Sequence, residues 1–354
     1  MHHTRAGGVT VPQMAATSRD VAQRAGVSQP TVSRALRDDP RVADATKEKV
    51  RRAAADLGYV PSEAGRSLAT SSTHQIAVVA DLRNALYPVL VEPLHDTFEA
   101  HGYRMVLIAE RGDGKTVSDR LLDRSVDGVI LTTSRLRSPL SAVLSKRRVP
   151  FVELNRTSGR RGVTAVVADN HGGARAVAHL LAELGHRRVG AVMGTRLVST
   201  SRDREAGLRQ GLADHGIDLN LDLVVHGGFG HEAGQHGFDH LMSTRNPPSA
   251  VFCIGDSAAV GALNQARRMG ISVPGDVTVV GFDNLHVAGW PAFDLTTVDA
   301  QIPALAVAAG ERLVTLLAGD DAQPSITTVP TALVLRGTHA PPCPTPSDRT
   351  RKAS

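Results

Sequence analysis

The sequence predicts an α/β chain with an N-terminal helix-turn-helix headpiece and a two-lobed core of parallel sheets. Three observations lead there. Residues 17–60 carry helical spacing and no strand-like run. From Ile76 onward, short apolar runs alternate with helical patterns, the signature of repeated βα units. Nine such runs are many for one compact sheet in a chain of 354 residues, so two similar lobes with a cleft between them are expected.

The headpiece elements follow in order. Thr17 is placed to cap a first helix, with Asp20 three residues on in the capping-box position. Val21, Ala22 and Ala25 form its apolar stripe, and Gly26 ends it. Val27 fills the turn and Ser28 caps a second helix. Pro30 falls in that helix's first turn, where a missing N–H costs nothing. Val32, Ala35 and Leu36 face inward, which leaves Gln29, Thr31, Ser33 and Arg34 available. Two short helices joined by a tight Gly-containing turn make a helix-turn-helix, whose second helix can enter a DNA major groove. On the pattern alone, a small helical cap on an α/β protein is the other reading.

A polar bridge follows, and then the core. Its runs are Ile76–Ala80, Met105–Ala109, Gly128–Leu131, Phe151–Leu154, Ala165–Val167, Val189–Val192, Leu223–Val225, Ala250–Ile254 and Val277–Val280. They are apolar throughout, as expected for parallel strands covered on both faces. Segments such as Ala174–Leu184 and Ala258–Met269 carry helical spacing between them. Ligands in such folds sit beyond the carboxyl ends of the strands. The Pro-rich tail, residues 341–354, reads as disordered.

Composition excludes several classes. Apolar residues make up 42% and charged residues 21%, ordinary for a soluble globular chain. No apolar run approaches the roughly 18 residues of a membrane span, so no membrane partner is expected. Met1 to Ala16 lack the apolar centre of a secretion signal, so a cytoplasmic location is expected. Cys253 lies in an apolar run and Cys343 in the tail, which argues against a disulfide framework or a thiolate metal site. No metal or cofactor is expected. The net charge is +5; ten Lys and Arg against seven Asp and Glu between Met14 and Thr73 place +3 of it there. Such an excess fits a polyanionic partner.

The stretch Ser18-Arg19-Asp20-Val21-Ala22-Gln23-Arg24-Ala25-Gly26-Val27-Ser28-Gln29-Pro30-Thr31-Val32-Ser33-Arg34-Ala35-Leu36 resembles the headpiece of the lactose-repressor/galactose-repressor family. Val42, Thr46, Val50, Ala53, Ala54, Leu57, Gly58, Tyr59 and Pro61 fall where that family has its third helix and exit. Ala64-Gly65-Arg66-Ser67-Leu68 resembles its hinge helix. Matches continue at Val167-Ala168-Asp169-Asn170, Leu184-Gly185-His186-Arg187-Arg188, Val280-Gly281-Phe282-Asp283-Asn284 and Leu295-Thr296-Thr297-Val298, and run in order to about Gly337.

The resemblance implies a DNA-binding headpiece over residues 14–61, a hinge and linker over 62–75 and a periplasmic-binding-protein-like core over 76–340. It implies a first lobe at about 76–168 and 301–325 and a second at about 169–298 and 326–340. It also implies a homodimer on double-stranded DNA carrying a pseudo-palindromic operator, usually as a repressor, controlled by a small-molecule effector such as a sugar. Gln29, Pro30 and Arg34 match positions that read base edges, with Thr31 and Ser33 beside them. Arg34 has the chemistry to donate two hydrogen bonds to a guanine, with a phosphate contact as its alternative. Leu68 matches a hinge residue that wedges into the minor groove, with Arg66 next to it on the DNA.

Departures from the family pattern carry their own expectations. Gly65 replaces the usual hinge alanine and costs a helix about 1 kcal/mol. Ala43 stands where a capping serine is common, and Asp44 is the residue that could take over the cap. Pro93 should kink the first core helix. Met14-Ala15-Ala16-Thr17 looks like an alternative start.

Family-matched cleft positions are Asp81, Asn84 and Tyr87 after the first strand, then Asn155, Thr200, Arg204, Phe229, Asp256 and Asp283. The resemblance implies that Arg204 pairs with effector hydroxyls or carboxylates and that Asp283 accepts hydrogen bonds at the cleft floor; buried opposite charges with an aromatic face suit a polar ring such as a sugar. Arg196 and Arg202 cluster with Arg204 and point either to an anionic effector or to a solvated face. Trp290 either stacks on a ligand or plugs a lobe interface.

Three motifs imitate enzymes. Gly228-Phe229-Gly230-His231-Glu232-Ala233 fits a dinucleotide fingerprint but lies mid-chain without the distal acid. Gly255-Asp256-Ser257-Ala258-Ala259 resembles a nucleophile elbow without its last glycine. His231 and His236 are five residues apart, which turns them away from a shared metal. The expectation is therefore a regulator and no enzyme. Its rivals are a transport-system sugar-binding protein and a hydrolase or dehydrogenase.

Overall fold

A computed structural model describes residues 16–60, 72–110, 121, 125–319 and 323–343. The hinge residues Gly65, Arg66 and Leu68 and the tail beyond Cys343 lie outside these. The chain divides into two compact units, Met1–Thr73 and His74–Ser354.

The described residues of the first unit form three helices: α1 (Ser18–Ala25), α2 (Gln29–Ala35) and α3 (Asp44–Asp56). The expected capping box forms at Thr17. Its N–H donates to Asp20 Oδ2 at 2.8 Å, and the Asp20 N–H donates to Thr17 Oγ1 at 3.4 Å. Gly26 takes a left-handed φ of 65° to end α1. Ser28 Oγ accepts the Thr31 N–H and starts α2. The cap of α3 differs from expectation. Ala43 occupies the N-cap with no side-chain acceptor. Asp44 is already inside the first turn, so its carboxylate pairs with Lys47 at 3.2 Å and complements the helix dipole. Val21, Ala25, Val32, Ala35 and Val50 are buried together, and their small size lets three short helices approach closely.

The described residues of the second unit form three sheets. The larger is parallel and six-stranded: β1 (Gln75–Ala80), β2 (Arg104–Ala109), β3 (Gly128–Leu131), β4 (Phe151–Leu154), β5 (Ala165–Ala168) and a late strand, Ile326–Val329. In space these run late strand, β5, β4, β3, β1, β2. Helices α4 (Tyr87–Ala100) and α5 (Pro139–Arg147) connect them. Pro93 sits inside an α4 that continues through it to Ala100, so the helix survives the residue expected to disturb it. The second sheet is parallel and four-stranded, from β6 (Val189–Met193), β7 (Val224–His226), β8 (Ala250–Cys253) and β9 (Thr278–Val280), ordered β7-β6-β8-β9. It is flanked by α6 (Asn170–Glu183), α7 (Ser199–Ala213), α8 (His231–Met242) and α9 (Asp256–Met269). Then come β10 (Thr297–Asp299), α10 (Ile302–Leu317), the late strand as β11, and β12 (Ala332–Val334), which pairs antiparallel with β10.

All nine apolar runs are strands or reach into one, with two differences in detail. Leu223 belongs to a 3-10 turn ahead of β7. β2 is the edge of its sheet, and Val106 and Leu107 remain 36% and 41% exposed instead of covered. The lobe boundary also moves. Ile326–Val329 pairs with β5 in the first sheet, so the chain returns to the second lobe after Val329 and not at residue 326. This strand is Thr-rich and exposed, which is why it carries no apolar signature.

Three passages of chain cross between the lobes, near Asp169, Asp299–Gln301 and Thr331. They lean on one another: the Asp169 N–H donates to Val329 O at 2.8 Å, and Asp283 bridges to Asp299. Beside the first crossing, α6 packs against α7 with backbone almost touching backbone. A Cβ built on Gly207 would sit 2.1 Å from His171 O, whereas Gly230 has open space around it. Gly207→Ala is therefore expected to cost about 1–3 kcal/mol or more by forcing the two helices apart, and Gly230→Ala, which meets no atom and changes only the N-cap of α8, about 1 kcal/mol or less. Urea unfolding of both variants measures the contrast; equal effects would contradict it.

Candidate operator face and effector cleft

Within the first unit, α2 turns Val32 and Ala35 inward and leaves Gln29, Pro30, Ser33 and Arg34 exposed. Thr31 is half-buried and its hydroxyl bonds Ser28 Oγ at 2.8 Å. Gln29 already donates to Ser18 Oγ at 2.8 Å, so its amide is oriented by the neighbouring helix. Arg34 makes no ion pair among the described residues, and its five donors face solvent. Arg37, on the same exposed surface, donates to Ser33 O at 3.1 Å.

In the second unit, six of the nine expected cleft residues line one pocket: Asn84, Asn155, Thr200, Arg204, Phe229 and Asp283. The other three do not. Asp81 turns away to pair with Arg83 at 3.0 Å. Tyr87 is buried in the first lobe, where its hydroxyl donates to Thr132 O at 3.1 Å. Asp256 is fully buried, accepting the Leu285 N–H at 2.7 Å and the Thr297 hydroxyl. It braces the turn that carries Asp283. Trp290 lies outside the pocket, exposed and stacked on Phe293. The pocket adds Leu86, Arg156, Gly255 and Ser257. Arg156 and Ser257 each follow an expected position by one residue, which is the only signal the sequence offered for them. Gly255 has its own reason: a Cβ there would meet Asp283 Oδ2 at 2.8 Å. The cavity is small, about 20 Å³, so a ligand of metabolite size requires the lobes to part.

The floor of the pocket is built around Arg204, on the first turns of α7. Its Nη2 donates to Asp283 Oδ1 at 2.9 Å and its Nε to Asn170 Oδ1 at 2.8 Å. Its Nη1 donates to Ile254 O, and the guanidinium lies 3.7 Å over the Phe282 ring. Every partner sits at the carboxyl end of a strand or at a lobe crossing. Asp283 holds a φ of 108°, a region L side chains rarely adopt. Such strain persists where surroundings over-determine it, here by the Arg204 pair and the Asp283 N–H bond to Val298 O.

Burial raises the Asp283 carboxyl, and the Arg204 guanidinium opposes this. For Asp256 burial dominates, and the nearby Asp283 charge adds to it. Its carboxyl is pushed well above the usual carboxylate range, while the Thr297 and Leu285 hydrogen bonds and Arg204 oppose this.

Two family models match the chain: "Bacterial regulatory proteins, lacI family" over residues 17–62 and "Periplasmic binding protein-like domain" over residues 177–339. The HTH-type transcriptional repressor CytR of Escherichia coli (strain K12) is 32% identical over 293 residues, covering 81% of this chain and 85% of CytR. The HTH-type transcriptional repressor PurR of Pectobacterium carotovorum subsp. carotovorum (strain PC1) is 32% identical over 290 residues, covering 80% and 85%. Among solved structures, the lac repressor dimer bound to operator and the anti-inducer ONPF superposes with a TM-score of 0.84 at 26% identity, over 92% of this chain and 99% of that one. The transcriptional regulator CelR–cellobiose complex gives 0.72 at 29% identity, over 92% and 100%.

A carboxyl whose folded value is raised contributes most below its unfolded value of about 4 and loses that contribution as pH rises. Asp256→Asn keeps the shape, the acceptor for Leu285 and a donor for Thr297. It is expected to match the parent near pH 4 and to gain in relative stability between pH 5 and 8, as thermal melts across that range would record. A relative loss as pH rises would mean that Asp256 is ionised in the folded protein.

Proposed function

The chain belongs to the lacI family of bacterial regulatory proteins, and we propose that it is a homodimeric repressor whose hold on a pseudo-palindromic operator is set by a polar metabolite in the interlobe cleft. The observation that carries this is a pairing within one chain. An exposed second helix presents an arginine with no ion pair, and a separate unit gathers six expected polar and aromatic residues at one pocket.

The roles follow from chemistry. Arg34 is the base-reading residue, since a free planar guanidinium suits the paired acceptors of guanine. Gln29, Pro30, Thr31 and Ser33 shape the rest of that surface, and Arg66 and Leu68 act at the hinge. The second copy of the chain packs against the first lobe's β2, where Val106 and Leu107 stand exposed on the edge strand of the sheet. Effector binding changes the closure of the lobes, and the dimer transmits that change to the hinge.

A transport-system binding protein has no use for residues 17–60. An enzyme reading finds little support in the imitation motifs. Phe229 and Ser257 contribute to the pocket wall, and His231 is engaged with Asn264 at 2.9 Å. No group of three His, Cys, Asp or Glu able to hold a metal occurs among the described residues. No helix among them is long and apolar enough to cross a membrane.

Selection of binding sites from random DNA by the full-length chain should enrich a palindrome. On that site Arg34→Ala should lose about 1–3 kcal/mol, roughly 5- to 150-fold in affinity, and relax preference at one base position in each half. Failure to enrich any palindrome, or unchanged affinity and preference in the variant, overturns the reading.

A further inference from the structure

We propose that the cleft ligand is a hydroxylated organic anion, its charged group received by Arg156 and its hydroxyls by Asn155. This rests on the reading of the cleft as the effector site and names the chemistry of what enters it.

The argument starts from charge. Two guanidiniums line the pocket, Arg156 and Arg204, against one carboxylate, Asp283. Asp283 is engaged with Arg204, and Asp81 with Arg83. Arg156 makes no salt bridge among the described residues; Asp81 and Asp283 attract it only over a longer distance. Its guanidinium lies 4.7 Å from the centre of the Phe229 ring. Its Nε is buried without a hydrogen-bond partner, and so is Asn155 Oδ1 on the residue before it; Asn155 is 5% exposed. One unmatched donor on a cation and one unmatched acceptor, on consecutive residues that line the pocket, suit a ligand with an anionic group and a hydroxyl.

The backbone adds to this. Helices α7 and α9, of 15 and 14 residues, both begin at the pocket, with Thr200 and Ser257 in their first turns. Neither N-cap, Val198 or Gly255, supplies a side-chain acceptor. Two helix ends of positive sign thus face a cavity that already holds an unpaired guanidinium. Arg196 and Arg202, which suggested an anion in the sequence, do not contribute, because Glu205 and Asp203 answer them at 3.9 and 3.0 Å. Arg160 and Arg161 are exposed on the loop that carries Arg156 and make no ion pair among the described residues. They extend the positive field along the chain toward solvent.

Phosphate esters and carboxylates share this chemistry, so the test uses matched probes at constant ionic strength. Isothermal titration of the full-length chain compares ribose with ribose 5-phosphate, and glucose with glucose 6-phosphate and gluconate. At least one anionic member should bind about tenfold or more tightly than its neutral partner, and which arm responds separates ester from carboxylate. Arg156→Gln should remove that preference, and Arg156→Lys should restore part of it. Equal or tighter binding of the neutral partners, or no binding by any anionic probe, overturns the proposal. Ser257→Trp, which fills the pocket, separates the two levels. A neutral ligand lost on that substitution leaves the cleft reading standing and rejects the anion. An anion that still binds Ser257→Trp rejects the cleft location itself.

Discussion

The Arg204 guanidinium is 3% exposed and held on every side. Removing a cation from water costs several kcal/mol, and only good geometry repays it. Here the repayment comes from Asp283, Asn170, the Ile254 carbonyl and the face of Phe282. Those partners belong to three different places: the start of α6 at a lobe crossing, the residue after β8, and the turn after β9 that carries Phe282 and Asp283. The charge therefore fixes the ends of several strands relative to one another. Asp283 keeps its left-handed backbone and Gly255 keeps its bare Cα because each is packed against this centre.

Close helix packing supplies the frame around it. Gly207 meets His171 O, Gly234 meets Ala258 O and Gly261 meets His231 O, each so tightly that a methyl group could not enter. These contacts set α6 against α7 and α8 against α9, and so aim the first turns of α7 and α9 at the pocket. In the first lobe, Glu153 does similar work through hydrogen bonds. It is fully buried and accepts from Ser134, Ser141, Thr157 and the Ser158 N–H, which fixes the loop that carries Asn155 and Arg156. The pocket wall is thus set by residues that do not line it.

Much of this was legible in the sequence where one physical signal dominated. The buried strands read as continuous apolar runs because both faces are covered. The first two headpiece helices read from Thr17, Gly26, Ser28 and Pro30 because each acts locally. What escaped was decided by tertiary context. β10, β11 and β12 are short and threonine-rich or exposed, so no periodicity marks them. Tyr87, Asp81 and Asp256 occupy family-matched positions, yet local partners turn them from the pocket. Arg156 and Ser257 enter it because the strand and helix before them set their direction, which residue type alone does not reveal.

The claim that Arg204 and Asp283 act as one unit is most directly tested by a double-mutant cycle on core stability, read by urea unfolding of Arg204→Met, Asp283→Asn and the pair. Removing either partner strands a buried polar group, so each single change should cost about 3–5 kcal/mol. The double variant should cost no more than the worse single one, a coupling of at least about 3 kcal/mol. Costs that add to within about 0.5 kcal/mol would show that the two side chains stabilise the core independently.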